Sequence, residues 1–190
     1  MKVTINFNLS LSQDQAILAD VIRRSEALGH KLGRTALQKI PYFLMRRGVP
    51  LVYSFDLYHY GPFCQEILWD AEMLSSMGAI IDEGGHNGGS KYIAGEKIVG
   101  LTSEHQAFLD ANASDIDEVV KLLAPLDATR LEIVATVDYL YRYVIAGGKP
   151  GPHKSEVLRR FMEAKPQYLS REELVSKLYD RMALIKMIGE

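Results

Sequence analysis

Long hydrophobic runs are missing from this chain. No apolar stretch approaches the roughly 20 residues that span a bilayer, so a helical membrane protein is not expected. The first residues hold one Lys and no apolar h-region, and no signal peptide is expected either. Cysteine is nearly missing: Cys64 stands alone, which excludes an intramolecular disulfide and makes a reducing cytoplasm the expected compartment. The five histidines (His30, His59, His86, His105 and His153) never adopt H-x-x-x-H spacing, and no Cys pair exists to complete a metal site. The glycine-rich residues 84–90 lack a G-K-[ST] ending, and Gly147-Gly148-Lys149-Pro150 has proline where a phosphate loop needs Ser or Thr. No G-x-S-x-G elbow occurs. The expectation is therefore a protein with no catalytic, metal or cofactor site. An enzyme with an unrecognised site is a distant third reading.

What is present is 190 residues with 47% apolar and 24% charged side chains, the composition of an ordinary globular chain. Its net charge of −2 hides an asymmetry. Residues 1–50 are net +5, residues 51–110 net −7, residues 111–150 net −2 and residues 151–190 net +2.

Hydrophobic periodicity organises residues 1–100 as a winged-helix-like core. Residues 3–9 alternate as an edge strand would. Ser10 or Ser12 can cap a helix that ends at Gly29. The next helix, near residues 35–47, contains Pro41, which predicts a kink or a start at the proline. A strand-like segment, residues 51–60, leads to the turn Tyr60-Gly61-Pro62 and a helix over residues 62–77. On that helix Phe63, Ile67, Ala71, Leu74 and Met77 share one face. Two short strands, residues 79–83 and 91–94, would form the wing.

The remaining residues, 101–190, read as helices packed on that core. Their signals are a capping box at Ser103 and Gln106, a helix over 116–123, and a long helix capped by Asp127. The long helix carries the stripe Ile133, Val137, Leu140 and Val144, with Asp138 and Arg142 paired on its other side. Two last helices, 154–164 and 172–188, follow the loop 147–152, the second with a capping box at Ser170 and Glu173. The fold class is thus mainly α (α+β), in a single domain spanning residues 1–190.

The candidate functional residues fall in two sets. In a major groove the helix 62–77 should offer cations, yet it carries Gln65, Glu66, Asp70 and Glu72 and no Lys or Arg. Trp69 lies among its polar residues, as an interface residue or packed under the C-terminal helices. With the aromatic turn before it, this gives a candidate protein interface of Tyr58, His59, Tyr60, Gln65, Glu66, Trp69 and Glu72. The alternative is nucleic-acid contact through Arg23, Arg24, Lys31, Arg34, Lys39, Arg46, Arg47 and Lys91, although solvated helix faces account for the same residues. Asp70 on the apolar face needs a partner, for which Arg46, Arg47 or a backbone donor is expected. Cys64, near a helix start, reads as a small buried residue or as a thiol of lowered pKa.

The motif Leu37-Gln38-Lys39-Ile40-x-Tyr42-Phe43-Leu44, then Tyr58-His59-Tyr60-Gly61-Pro62-Phe63, Glu66-Ile67 and Met77-Gly78-Ala79-Ile80, resembles the YwgA-like proteins. These are related in pattern to the Panacea (SocA-like antitoxin) group. Leu131-Glu132-x-x-Ala135-Thr136-x-x-Tyr139-Leu140 and Lys165-Pro166 with Ser170-x-Glu172-Glu173 are similar to the helical second half of such proteins. The resemblance implies a toxin-neutralising or adaptor module that works by contact with a protein partner, without a cofactor. Homo-oligomerisation and nucleic-acid binding stay open, and no membrane partner is expected.

Overall fold

A computed structural model describes residues 10–84, 89–148 and 153–189. The edge strand expected over residues 3–9, His86 and most of the loop 147–152 lie outside the described residues.

Helix α1 (Gln13–Ala27) starts where Ser12 forms a reciprocal capping box with Gln15. Its apolar residues, from Ala16 through Ile22, are fully buried. After Gly29, Leu32 makes an isolated antiparallel bridge to Tyr92. Helix α2 (Arg34–Arg46) follows, then strands β1 (Asp56–Tyr58) and β2 (Gly61–Phe63), helix α3 (Gln65–Ser76), and strands β3 (Ile80–Asp82) and β4 (Tyr92–Ala94). Helix, strand contact, two helices and a hairpin make the winged-helix order, with the β1–β2 hairpin inserted between its second and third helices. The wing pairs Ile80 with Ala94 and Asp82 with Tyr92, and Glu26 of α1 accepts a hydrogen bond from the Ala94 amide.

The second half contains α4 (Ile98–Thr102), a 3-10 turn (Ser103–His105), α5 (Gln106–Ala111), α6 (Ala113–Leu123), α7 (Ala128–Ala146) and α8 (Lys154–Ala164). A 3-10 segment (Pro166–Arg171) then leads into α9 (Glu172–Leu184). Helix α7, capped by Asp127, is the central rod and packs against α2, β2, α8 and α9. Buried apolar residues from Leu11 to Ile188 form one cluster across both halves. The described residues are mainly helical, with two small antiparallel hairpins. No helix among the described residues is long and apolar enough to cross a membrane.

Several local expectations need correction. Helix α2 does not begin at Pro41 but runs through it. Every residue from Ala36 to Leu44 is buried, and that packing offsets the roughly 3 kcal/mol that a proline costs inside a helix. Residues 51–55 alternate in burial as a strand would, with Leu51 and Tyr53 inside, yet among the described residues they pair with no strand. The Val52 amide donates instead to the Asp14 carboxylate of α1. Ser103 caps nothing, because it lies within successive helical turns and donates to the Gly100 carbonyl. Ser170 falls inside a 3-10 segment, and α9 starts without a side-chain cap.

Asp138 is not on an outer face of α7. It is buried between α7 and α2, where the Tyr42 hydroxyl donates to its Oδ2 at 2.7 Å. Arg46 and Arg142 each approach it at 3.4 Å. Burial raises the Asp138 pKa, and the Tyr42 hydrogen bond and the two arginines oppose that rise. Tyr42→Phe leaves the carboxylate without its short hydrogen bond and is expected to cost about 1–3 kcal/mol in urea unfolding. A loss below a few tenths of a kcal/mol would show that the two arginines suffice.

Candidate protein interface

The interface is built from beneath. Its hairpin pairs Asp56 with Phe63, Leu57 with Pro62 and Tyr58 with Gly61, so His59 and Tyr60 form a two-residue turn. Gly61 has φ +82°, and a Cβ there would stand 2.6 Å from Thr136 Oγ1 of α7. Glycine is required on both counts: the backbone is left-handed and it lies almost against the helix.

Two neighbouring side chains of α2 hold the segment after the turn. Lys39, 1% exposed, donates from Nζ to the Pro62 carbonyl at 2.6 Å. Gln38 makes a reciprocal pair with the Cys64 backbone, accepting from its amide and donating to its carbonyl, each at 2.9 Å. The helix expected from Pro62 therefore begins only at Gln65. Residues 61–63 are drawn into β2, and Cys64 stays extended as the N-cap.

A second lysine, from the far end of the chain, anchors the turn itself. Lys165 Nζ donates to the carbonyls of Tyr58 (3.1 Å) and His59. It also lies 3.2 Å from Glu132 Oε1, and Tyr168 donates to the other oxygen of Glu132 at 2.9 Å. The Lys165 contact is an ion pair without hydrogen-bond geometry, and Thr136 Oγ1 has no hydrogen-bond partner among the described residues. Burial pushes the Lys39 ammonium down to about 8; Glu132 opposes the shift and Lys165 adds to it. Gln38, Glu132, Thr136 and Lys165 thus carry the site from below, and none had been singled out as a site residue.

Above this cluster all seven candidate interface residues are exposed. Tyr58 is 61% exposed, Tyr60 71% and Trp69 59%, so the C-terminal helices do not cover the tryptophan. On α3, Gln65, Trp69 and Glu72 share the outward face, while Ile67, Ala71 and Leu74 are buried. Glu66 accepts from the Cys64 thiol at 2.8 Å. Burial pushes that thiol up to about 11, with the Glu66 bond adding to the rise, so the small-buried-residue reading of Cys64 holds. Among the described residues Asp70 finds neither Arg46, Arg47 nor a backbone donor; Tyr53 and Gln15 each donate to it at 2.7 Å. A groove of about 450 Å³ separates α3 from the wing, with Arg34, Glu72 and Asp82 on its walls.

The basic set does not assemble into one free patch. Lys39 is interior. Arg23 and Arg24 converge on buried Asp20, and Arg24 also reaches Asp117. Arg47 pairs with Asp115 and Glu118, and Lys31 pairs with Glu83. Arg34 donates to Ser90, and Lys91 is exposed beside it on the wing. Arg46 and Arg47 come together beside Arg142 and Lys186. Among the described residues no three His, Cys, Asp or Glu side chains gather where a metal ion would bind.

The depressed Lys39 pKa has a consequence for stability. The unfolded chain holds its proton up to the ordinary 10.5, whereas the folded chain releases it near 8. Between those values the unfolded state binds more protons, so this residue's contribution grows as pH rises. Relative to Lys39→Met, the parent should gain up to about 3 kcal/mol between pH 7 and pH 10.5, read by urea unfolding. A pH-independent difference would show that Lys39 keeps its ordinary pKa.

No protein-family model and no curated protein matches this chain, so the reading of the site rests on its own geometry.

Proposed function

We propose that the protein is a non-enzymatic interaction module of winged-helix type, antitoxin-like or adaptor-like, that binds a protein partner in the cytoplasm. The contact surface is the hairpin tip Tyr58-His59-Tyr60 with the outward face of α3. The observation that carries this reading is Trp69. A tryptophan 59% exposed on a helix that holds Glu66, Asp70 and Glu72 and no cation suits protein recognition. Three exposed aromatics on a rigidly backed surface add large contact area at small cost in side-chain entropy. The resemblance to YwgA-like and Panacea proteins agrees with a contact function.

The same charges argue against a nucleic-acid-binding regulator. DNA binding draws on cations able to displace counterions, and six of the eight basic candidates are interior or paired with carboxylates. Self-association through the aromatic surface is compatible with the reading and would appear as a homo-oligomer.

Trp69 is the only tryptophan and so reports on its own surface. In the free protein its fluorescence should be that of a water-exposed indole, readily quenched by acrylamide. A bound partner should shift the emission to the blue and protect it. Trp69→Ala should lower capture of the partner from the native host by about tenfold or more, with an unchanged Tm. Unchanged capture removes this interface. Retention on DNA at about 50 mM salt, lost steeply as salt rises, would favour the regulator instead.

A further inference from the structure

A second site lies away from the aromatic surface, in the cavity where α2, α6 and α7 meet the C-terminal turn of α9. Its volume is about 350 Å³, at the small end of the range for small-molecule pockets. Four cationic side chains, Arg46, Arg47, Arg142 and Lys186, and one carboxylate, Asp115, line it. Phe43, Val119 and Met187 give it apolar walls.

The cations are only partly neutralised. Arg47 is held by Asp115 and Glu118. Arg46 and Arg142 share the single buried carboxylate of Asp138, each at 3.4 Å, beyond the length of a good charged hydrogen bond. Among the described residues Asp138 is the only ion-pair partner of Arg46. Arg142 also donates to the Met187 carbonyl at 3.2 Å, which draws the C-terminal turn over the cavity. Lys186 is exposed and has no ion-pair partner among the described residues.

The backbone supplies an independent observation. Lys186 has φ +58°, the one left-handed non-glycine residue described. It occupies the turn after α9, where Met187 N–H reaches back to the Met182 carbonyl, a position that glycine fills at least cost. The lysine side chain at this turn lines the cavity where glycine would fit the backbone at lower cost.

We propose that this cavity binds a small organic carboxylate bearing an apolar chain. Guanidinium forks match the planar carboxylate, and the apolar walls take the chain. A bare phosphate uses only the charges, and a neutral chain uses only the walls.

The test titrates the full chain with octanoate, inorganic phosphate and 1-octanol, followed by amide NMR shifts. Octanoate should bind saturably, with shifts confined to α6, the last turns of α2 and α7, and residues 185–188. Phosphate and octanol should bind about tenfold more weakly or worse. Lys186→Gly should raise Tm, because glycine relieves the left-handed strain, and yet weaken octanoate binding about threefold or more. Leu122→Glu, which sets a negative charge on the partly exposed lining, should weaken it about tenfold. Three results would each overturn the proposal: no saturable octanoate binding up to about 10 mM, equal binding of phosphate, or unchanged affinity in both variants.

Discussion

Gln38 and Lys39, adjacent on α2, grip the backbone of Pro62 and Cys64, and the candidate interface depends on that grip. Strand β2 exists because the Pro62 carbonyl is turned inward to the lysine. Helix α3 begins at Gln65 because both backbone groups of Cys64 are already bonded to the glutamine. The hairpin turn is then tied by Lys165, and Gly61 allows it to approach Thr136 on α7. With these contacts made, Tyr58, Tyr60 and Trp69 have little choice but to face outward.

Burying two lysines and a glutamate under a three-residue strand is costly, since each charge loses its hydration. The arrangement is tolerable because nearly every charge meets a backbone carbonyl or an opposite charge within the cluster. Hydrophobic residues in the same space would serve stability as well or better. Backbone carbonyls are directional partners, however, and they fix the hairpin at one height and angle over α7. The same logic operates at Asp138, which joins α2 to α7 through Tyr42 and two arginines.

Much of the architecture was legible in residue order. The wing strands, the caps at Ser12 and Asp127, and the buried stripe of α7 follow local rules that tertiary packing did not override. The exposed face of α3 was legible from its wheel. The misreadings share a cause: local patterns were settled by distant partners. Residues 51–55 have no neighbouring strand among the described residues, and the N-cap of α3, Cys64, is held by Gln38, twenty-six residues earlier. Lys39 looked like a surface cation because a helical wheel assumes an outside, whereas α2 has none between Ala36 and Leu44. Asp115 and Glu118 lie some seventy residues from the Arg47 they neutralise, a pairing that no spacing rule reveals. The lone signal for Lys165 was its place in the Lys165-Pro166 motif, which says nothing of the carbonyls it reaches.

Gln38 sets where α3 begins and how that helix is presented. Hydrogen exchange of Gln38→Leu, compared with the parent, tests it most directly. The substitution leaves the buried amide and carbonyl of Cys64 without their glutamine partner, a loss of about 1–3 kcal/mol. Protection should fall at Cys64 and through the first turn of α3, while amides in the middle of α7 keep theirs apart from any uniform loss of global stability. Unaltered protection at Cys64 and the start of α3 would contradict the account and return the placement of that helix to its apolar face alone.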